Sequence, residues 1–419
     1  MKNKQFKDSI VIGFALFAMF FGAGNLIFPP YLGNQVGDQY IFALLGFLIT
    51  GVGLPLLGIL ACAKIDGTFD QMANRVGKRF SIFATVVLIL AIGPMVAIPR
   101  TASTTYELGV STLFPSVSQG VSTVGYFLIA LAFVLKPTAI VDRIGKVLTP
   151  ILLIVLATII GKGIFFPIGE LVPTGVTNVF PNALTEGYQT MDAMAAVIFA
   201  SIIISAVKAK GYKDGRESTK VIMSAGVIAI AGLGLIYGGL MFLGSQTANT
   251  LSDVSRTQLV LHLSQSILGN LGTVLLSISV TVACLTTAIA LLSSSSQFFT
   301  KLFKNTIPYH FIAIMLTVVS AIVATNDVDA IVSLAGPALD IIYPVVIVLI
   351  IITLLGKLVR NNSAVAWTVY VTLLISVLET VNNLTKQSVG VLDQVLSYLP
   401  LHEAGFSWVI PAVLTLGVT

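Results

Sequence analysis

The chain has 419 residues, 56% hydrophobic and 10% charged, with a formal net charge of +5 and a mean hydropathy of +0.97. Soluble domains carry about 25% charged residues, so most of this chain must sit in lipid and no soluble domain of useful size fits beside it. The basic residues lie in short loops between apolar runs, which argues against a nucleic-acid surface, and the only two cysteines, Cys62 and Cys284, fall inside apolar runs as packed thiols rather than a disulfide or metal framework.

At about 20 residues per spanning helix, the apolar runs predict an all-α integral membrane protein of about twelve transmembrane helices. They cover approximately 8–33, 40–63, 80–106, 121–135, 147–162, 178–207, 220–244, 266–300, 308–325, 330–356, 364–382 and 405–419. The last run is short of a ~30 Å hydrocarbon core, as in a chain lacking its native C-terminus. Loop charges test this map. With the N-terminus in the cytoplasm, all 23 lysines and arginines except Lys162, Arg256, Lys386 and the intramembrane Arg100 fall on the inner side. That asymmetry is what the positive-inside rule expects.

The first run is the most informative. Residues 14–30 read Phe-Ala-Leu-Phe-Ala-Met-Phe-Phe-Gly-Ala-Gly-Asn-Leu-Ile-Phe-Pro-Pro. Lys2, Lys4 and Lys7 followed by an apolar stretch also fit a secretory signal peptide, but the apolar run resumes at Leu26-Ile27-Phe28 and many spans follow. The Gly22-Ala23-Gly24-Asn25 interruption predicts a span broken at its middle. Backbone freed at membrane depth is tolerated only where it is buried in protein or lines a cavity, and secondary transporters use it to bind ions and substrates.

In the third run Arg100 is an ionisable group in a span, which is costly and tends to be functional. It gates the outer end, or pairs with Glu186 or Asp192, or simply snorkels to the interface. The sixth run holds the other anomaly, Thr185-Glu186-Gly187-Tyr188-Gln189-Thr190-Met191-Asp192 ahead of the apolar stretch Ala193–Val207. This is an ordinary loop or a second broken helix, with Asp192 either a site residue or a helix N-cap. Spans one and six are five apart, so each opens a five-span half, 1–162 and 163–356, with 357–419 as peripheral spans 11 and 12. That is the layout of an inverted repeat. Ser293–Ser296 read as a polar cytoplasmic helix end, Asp340 as a pairing, gating or structural acid, and Trp367 and Trp408 as interfacial belt residues.

Two facing breaks make a charge-selective site. Freed N–H groups near Gly24 and Asn25 suit a carboxylate, and freed carbonyls at the ends of the inner half-helices suit an ammonium or small cation. Walls from Phe20, Phe21 and Met191 favour an aliphatic side chain. The expected ligand is an aliphatic amino acid.

Residues Phe20-Phe21-Gly22-Ala23-Gly24-Asn25-Leu26-Ile27-Phe28-Pro29-Pro30 and Glu186-Gly187-Tyr188-Gln189-Thr190-Met191-Asp192 closely resemble the bacterial branched-chain amino acid–cation symporter family (BrnQ type). The resemblance runs over the whole chain and includes the shorter Pro99-Arg100-Thr101 and Gly336-Pro337-Ala338. It implies a LeuT-like 5+5 inverted-repeat core with broken helices 1 and 6, and sodium-coupled uptake of leucine, isoleucine and valine across a bacterial plasma membrane, with Na+ as coupling ion and no organic cofactor. By the same resemblance the substrate would meet Phe20, Gly22, Ala23, Gly24 and Asn25, with Glu186, Gly187, Tyr188, Thr190, Met191 and Asp192 opposite. Sodium would meet carbonyls of Ala18, Phe21 and Ala283 and the hydroxyls of Thr286 and Thr287. An all-oxygen donor set fits a hard cation, whereas adjacent hydroxyls in an apolar helix also back-bond to their own turn. Proton coupling through Glu186 or Asp192, and a receptor that binds without transporting, remain alternatives. Nothing in the sequence supports an enzyme, an ATP-driven pump or a channel: there is no phosphate-binding Gly-x-x-x-x-Gly-Lys-Ser/Thr loop, His262, His310 and His402 are scattered, and no filter repeat or charged ring recurs.

Overall fold

A computed structural model describes residues 2–136, 139–212, 215–251, 253–385 and 390–418, with backbone alone over 2–3, 139–149, 216, 390 and 418. Lys213 and Lys386, counted above among the loop charges, lie outside the described residues, as do the side chains of Lys2, Arg143, Lys146 and Arg216. The described residues are almost entirely helical, and their only β-type pairing is an isolated bridge between Gly37 and Pro173.

Seven helices are long and apolar enough to cross a membrane, among them Tyr40–Ile65, Lys78–Leu113, Glu217–Ser245, Arg256–Leu302 and Val328–Leu358, and the bent pair Lys4–Phe20 plus Ala23–Val36 makes an eighth. Gln119–Leu135, Pro150–Phe165 and Tyr309–Val323 are apolar but shorter. The predicted twelfth span is a helix of 10 residues, Val409–Val418, too short to cross by itself at 1.5 Å per residue. The third and eighth spans are longer than their apolar runs. Residues 256–265 belong to the eighth helix, whose start is capped by Ser255 Oγ accepting the Gln258 N–H at 3.2 Å.

Local chemistry explains the irregular points. In the third span Gly93 (φ −101°, ψ −117°) and Pro94 leave the helical register; proline has no N–H to continue the ladder and its ring clashes with the preceding turn. The helix resumes at Ala97 and carries Arg100 into the centre of the molecule. Gly269 at φ +67° bends the eighth span, a backbone value that glycine adopts without Cβ strain.

The seventh span packs along both halves of the broken first span. A Cβ added to Gly33 would fall 2.0 Å from the Met241 carbonyl oxygen, and one added to Gly244 would fall 1.9 Å from that of Pro30. Small residues let helix backbones approach this closely where lipid gives helices no hydrophobic drive to associate. Both cysteines are free and fully buried, as the packed-thiol reading expects. Trp367 is 62% exposed, as a belt residue would be, but Trp408 is only 7% exposed because the Leu401–Ser407 turn folds it back into the protein. Gly244→Val is expected to abolish monodisperse protein in detergent size-exclusion chromatography, whereas Gly120→Ala, with nothing within 4 Å of the new methyl, should elute unchanged.

Candidate functional site

Phe20 ends the first half-helix and Ala23 begins the second, bent from it by 74°. Phe21 still donates its N–H to the Phe17 carbonyl at 2.9 Å. Gly22 is extended (φ −116°, ψ −171°), and its N–H turns to Asn25 Oδ1 at 3.2 Å. Asn25 therefore caps its own helix, and the N–H groups of Ala23 and Gly24 head the second half-helix with no earlier helical carbonyl to meet them. The other end of the Asn25 amide ties the break to the rest of the core. Nδ2 donates to Asp192 Oδ2 at 2.6 Å and to the Tyr237 hydroxyl, and the three residues are 1%, 6% and 0% exposed.

The sixth span is a second broken helix rather than an ordinary loop. Val179–Tyr188 and Asp192–Ala209 are helical, with only Gln189, Thr190 and Met191 between them. Met191 sits at φ +61°, a left-handed conformation uncommon for a residue with a side chain. Thr190 Oγ1 donates to the Gly187 carbonyl at 2.9 Å and accepts the Asp192 N–H at 3.4 Å. The cap position falls on Met191, so Asp192 is the first helical residue and is not an N-cap.

Arg100 reaches this break from the third span. It is 4% exposed and does not snorkel. Its Nη1 donates to the Gln189 carbonyl at 2.6 Å, its guanidinium lies 5.2 Å from the centre of the Phe28 ring, and a Cβ on Gly24 would be 3.0 Å from its Nη2. The expected pairing with Glu186 or Asp192 does not form: no carboxylate among the described residues makes an ion pair with Arg100. Glu186 is instead held by Arg256, 3.4 Å away, which also donates to Asp329 at 2.6 Å and stacks over Tyr31 at 4.1 Å. Starting the eighth helix at Arg256 puts that side chain at the first and sixth spans, a placement the loop map did not give.

A cavity of about 440 Å³ lies between the two breaks. It brings together Phe20, Gly22, Ala23, Gly24, Asn25, Thr190, Met191 and Asp192 with Arg100, Ala18, Thr286 and Thr287. Ile92, Phe199 and Leu291 complete an apolar wall. Phe21 is not part of the lining and stacks on Phe17 with centroids 5.6 Å apart. Ala283 also lies off the cavity, and its carbonyl accepts both the Thr286 and the Thr287 hydroxyl at 2.9 Å. Glu186 and Tyr188 face a different cavity, treated below, and Gly187 packs on Thr50. Among the described residues there is no cluster of three or more histidine, cysteine or acidic side chains able to hold a metal ion.

The cavity is open at one end. There it shares Ile92, Phe199, Ile202, Leu291 and Ser294 with a second space of about 350 Å³ that reaches Asp70 and Lys301. Ser293 and Ser294 thus line a path, two turns inside a helix that continues to Leu302. The opposite end is closed by Arg100 on Gln189 and by Arg256 with Glu186 and Asp329. Tyr237, Gln189, Arg256 and Asp329 were not singled out from sequence; Tyr237 stands alone in an apolar run, and the others acquire their meaning only from the pairing of distant helices.

The family described as "Branched-chain amino acid transport protein" matches residues 5–419. The branched-chain amino acid permease BraB of Bacillus subtilis is 39% identical over 97% of this chain and 93% of its own length. The branched-chain amino acid transport system 2 carrier protein of Pseudomonas aeruginosa is 35% identical over 98% and 94%. Among solved structures, the inward facing conformation of Mhp1 covers 98% of this chain and 89% of its own at a TM-score of 0.64 and 14% identity. The manganese transporter of Eremococcus coleocola covers 99% and 95% at 0.61 and 12%. At these identities the two structures establish the fold, which is LeuT-like.

Removing one partner of a buried hydrogen bond leaves the others unsatisfied, at about 1–3 kcal/mol. Asn25→Ala is expected to lower the melting temperature of the purified protein because Asp192 and Tyr237 lose their shared donor; Asn25→Asp, which sets a second carboxylate beside Asp192, should lower it further.

Proposed function

Because the chain belongs to the branched-chain amino acid transport protein family, we propose that it moves leucine, isoleucine and valine across a bacterial plasma membrane by alternating access, coupled to sodium. The observation that carries this reading is the cavity shared by both helix breaks, whose lining holds both Arg100 and Asp192, not paired with each other, among apolar side chains.

An amino-acid zwitterion fits that arrangement. Its carboxylate takes the Ala23 and Gly24 N–H groups at the positive end of the half-helix, with the Arg100 guanidinium beside them. Its ammonium takes Asp192. The side chain lies against Phe20, Met191, Ile92 and Phe199, where each buried methylene contributes about 0.8 kcal/mol. No charged group is present along that wall to receive a polar side chain, which favours leucine, isoleucine and valine over acidic or basic amino acids.

Sodium enters this scheme as cargo. The Ala18 carbonyl and the Thr286 and Thr287 hydroxyls line the same cavity. Both hydroxyls spend their proton on Ala283, which leaves oxygen lone pairs for a hard cation. An ion here would link the first span to the eighth, so filling it and filling the amino-acid site would draw on the same helix arrangement.

The asymmetry of the loop charges supports a cytoplasmic N-terminus, with Lys208 and Lys301 on the same side. On that orientation the open mouth is cytoplasmic and the conformation is inward-facing. The outward-facing state requires Arg256 to part from Glu186 and Asp329 while the path past Ser294 closes. Opposed states of this kind are what a carrier needs and a channel does not.

Proteoliposome uptake of radiolabelled leucine tests the proposal. Accumulation is expected with an inward sodium gradient and not with potassium; accumulation driven only by a proton gradient would replace sodium with proton coupling and move attention to Asp192. Bound leucine without accumulation under any gradient would favour a receptor. Thr286→Ala combined with Thr287→Ala should raise the sodium concentration needed for half-maximal uptake by about tenfold or more, equivalent to ~1.4 kcal/mol, while leaving leucine half-saturation at high sodium nearly unchanged.

A further inference from the structure

A second cavity, of about 480 Å³, lies on the far side of the sixth span from the first. It is walled by the first half of that span, the tenth and eleventh spans and the turn around His402–Trp408. Its lining is polar and acidic, including Glu186, Asp340, Glu379 and Glu403, and no lysine or arginine lines it. Glu186 is neutralised by Arg256 at 3.4 Å, and Glu379 accepts the Ser407 hydroxyl at 2.8 Å with His402 3.8 Å away. Asp340 has no hydrogen bond or ion pair among the described residues.

Two further side chains point to a ligand. Tyr188 and Ser376 are each 2% exposed and line this cavity, yet neither hydroxyl has a hydrogen-bond partner among the described residues. A buried polar group without a partner is unfavourable by about 1–3 kcal/mol, and water or a ligand is the usual remedy. The Tyr188 ring is fixed by stacking on Tyr343 with centroids 4.3 Å apart, so its hydroxyl cannot swing away. Trp408, 7% exposed, offers an aromatic ring to the same space.

We propose that this cavity is a second binding site, separate from the one between the helix breaks, and that it takes a primary ammonium group. The ammonium donates three hydrogen bonds, to Asp340, Tyr188 and Ser376, and lies near the Trp408 ring, where a cation is attracted to the π face. The volume is larger than a bare ion needs, and the absence of a compact acidic cluster among the described residues argues against direct metal ligation. A soluble alkylamine and the ethanolamine headgroup of a lipid share this chemistry.

Tryptophan fluorescence reads the site directly, because Trp367 and Trp408 are the only two tryptophans. Trp367→Phe removes the exposed one and leaves Trp408 as sole reporter. In phosphatidylglycerol nanodiscs, n-butylammonium should change Trp408 emission saturably and n-butanol should not. Asp340→Asn in the same background should weaken the half-saturation by about tenfold, ~1.4 kcal/mol, and Tyr188→Phe should weaken it less; a melting transition in each variant certifies the fold. If the lipid headgroup is the ligand, exchanging phosphatidylglycerol for phosphatidylethanolamine shifts the emission by itself and n-butylammonium competes with it. No saturable change in either lipid, or an Asp340→Asn protein that responds like its parent, would overturn the proposal.

Discussion

Peptide groups released inside a membrane have no water to bond with, so each must find a partner in the protein or face a cavity. That constraint organises this molecule around Phe21–Gly22 and Gln189–Met191, the two places where the first and sixth spans give up their helical ladder. At the first, Asn25 answers the Gly22 N–H and in the same step holds Asp192 and Tyr237. At the second, Thr190 ties Gly187 to Asp192 and Arg100 takes the Gln189 carbonyl. One amide side chain therefore joins the first, sixth and seventh spans, and the backbone groups left over are those that face the 440 Å³ cavity.

The electrostatics follow from the same geometry. A guanidinium buried beside Gly24 adds positive charge to the positive end of a half-helix, an arrangement that needs an anion to balance it. Asp192 lines the same cavity, held by Asn25 and not ion-paired with Arg100. Keeping the two charges apart leaves each able to meet the complementary half of a zwitterion, whereas a direct Arg100–Asp192 ion pair would have cancelled the site. Closure at the far end is assigned to another arginine, Arg256, bonded to Glu186 and Asp329. In the proposed function Arg100 serves recognition, and the carboxylates at the closed end are held by a different cation on a different span.

Much of this was legible in the amino-acid sequence, for identifiable reasons. Two glycines and an asparagine within four residues of an apolar run break helical propensity more than packing requires, so Gly22–Asn25 marked the first break to within a residue or two. The polar stretch Thr185–Asp192 marked the second region but not its three-residue core, because the turn is made by Met191 in a left-handed conformation and no glycine flags it. Helix through Tyr188 then rotates Glu186 and Tyr188 away from Thr190–Asp192, so residues adjacent in sequence serve different cavities. Arg100 was conspicuous as a charge in a span, yet its partners could not be read. Guessing the nearest acids in the sixth span missed a backbone carbonyl, and missed that the eighth helix begins early enough to bring Arg256 to Glu186. Tyr237 left no signal at all, since a tyrosine in an apolar run looks like any other core aromatic.

The proposed function depends above all on Arg100 and the head of the Ala23 half-helix receiving the carboxylate of an amino acid. Equilibrium binding of leucine and of leucinamide, which keeps the ammonium and side chain but lacks the carboxylate, tests it most directly, in the parent protein and in Arg100→Gln. The parent is expected to prefer leucine about a hundredfold, ~2.7 kcal/mol for a charge-assisted contact, and Arg100→Gln to collapse this preference mainly by weakening leucine. Equal weakening of both ligands, with the preference intact, would contradict it and leave Arg100 as a brace for the Gln189–Met191 break alone.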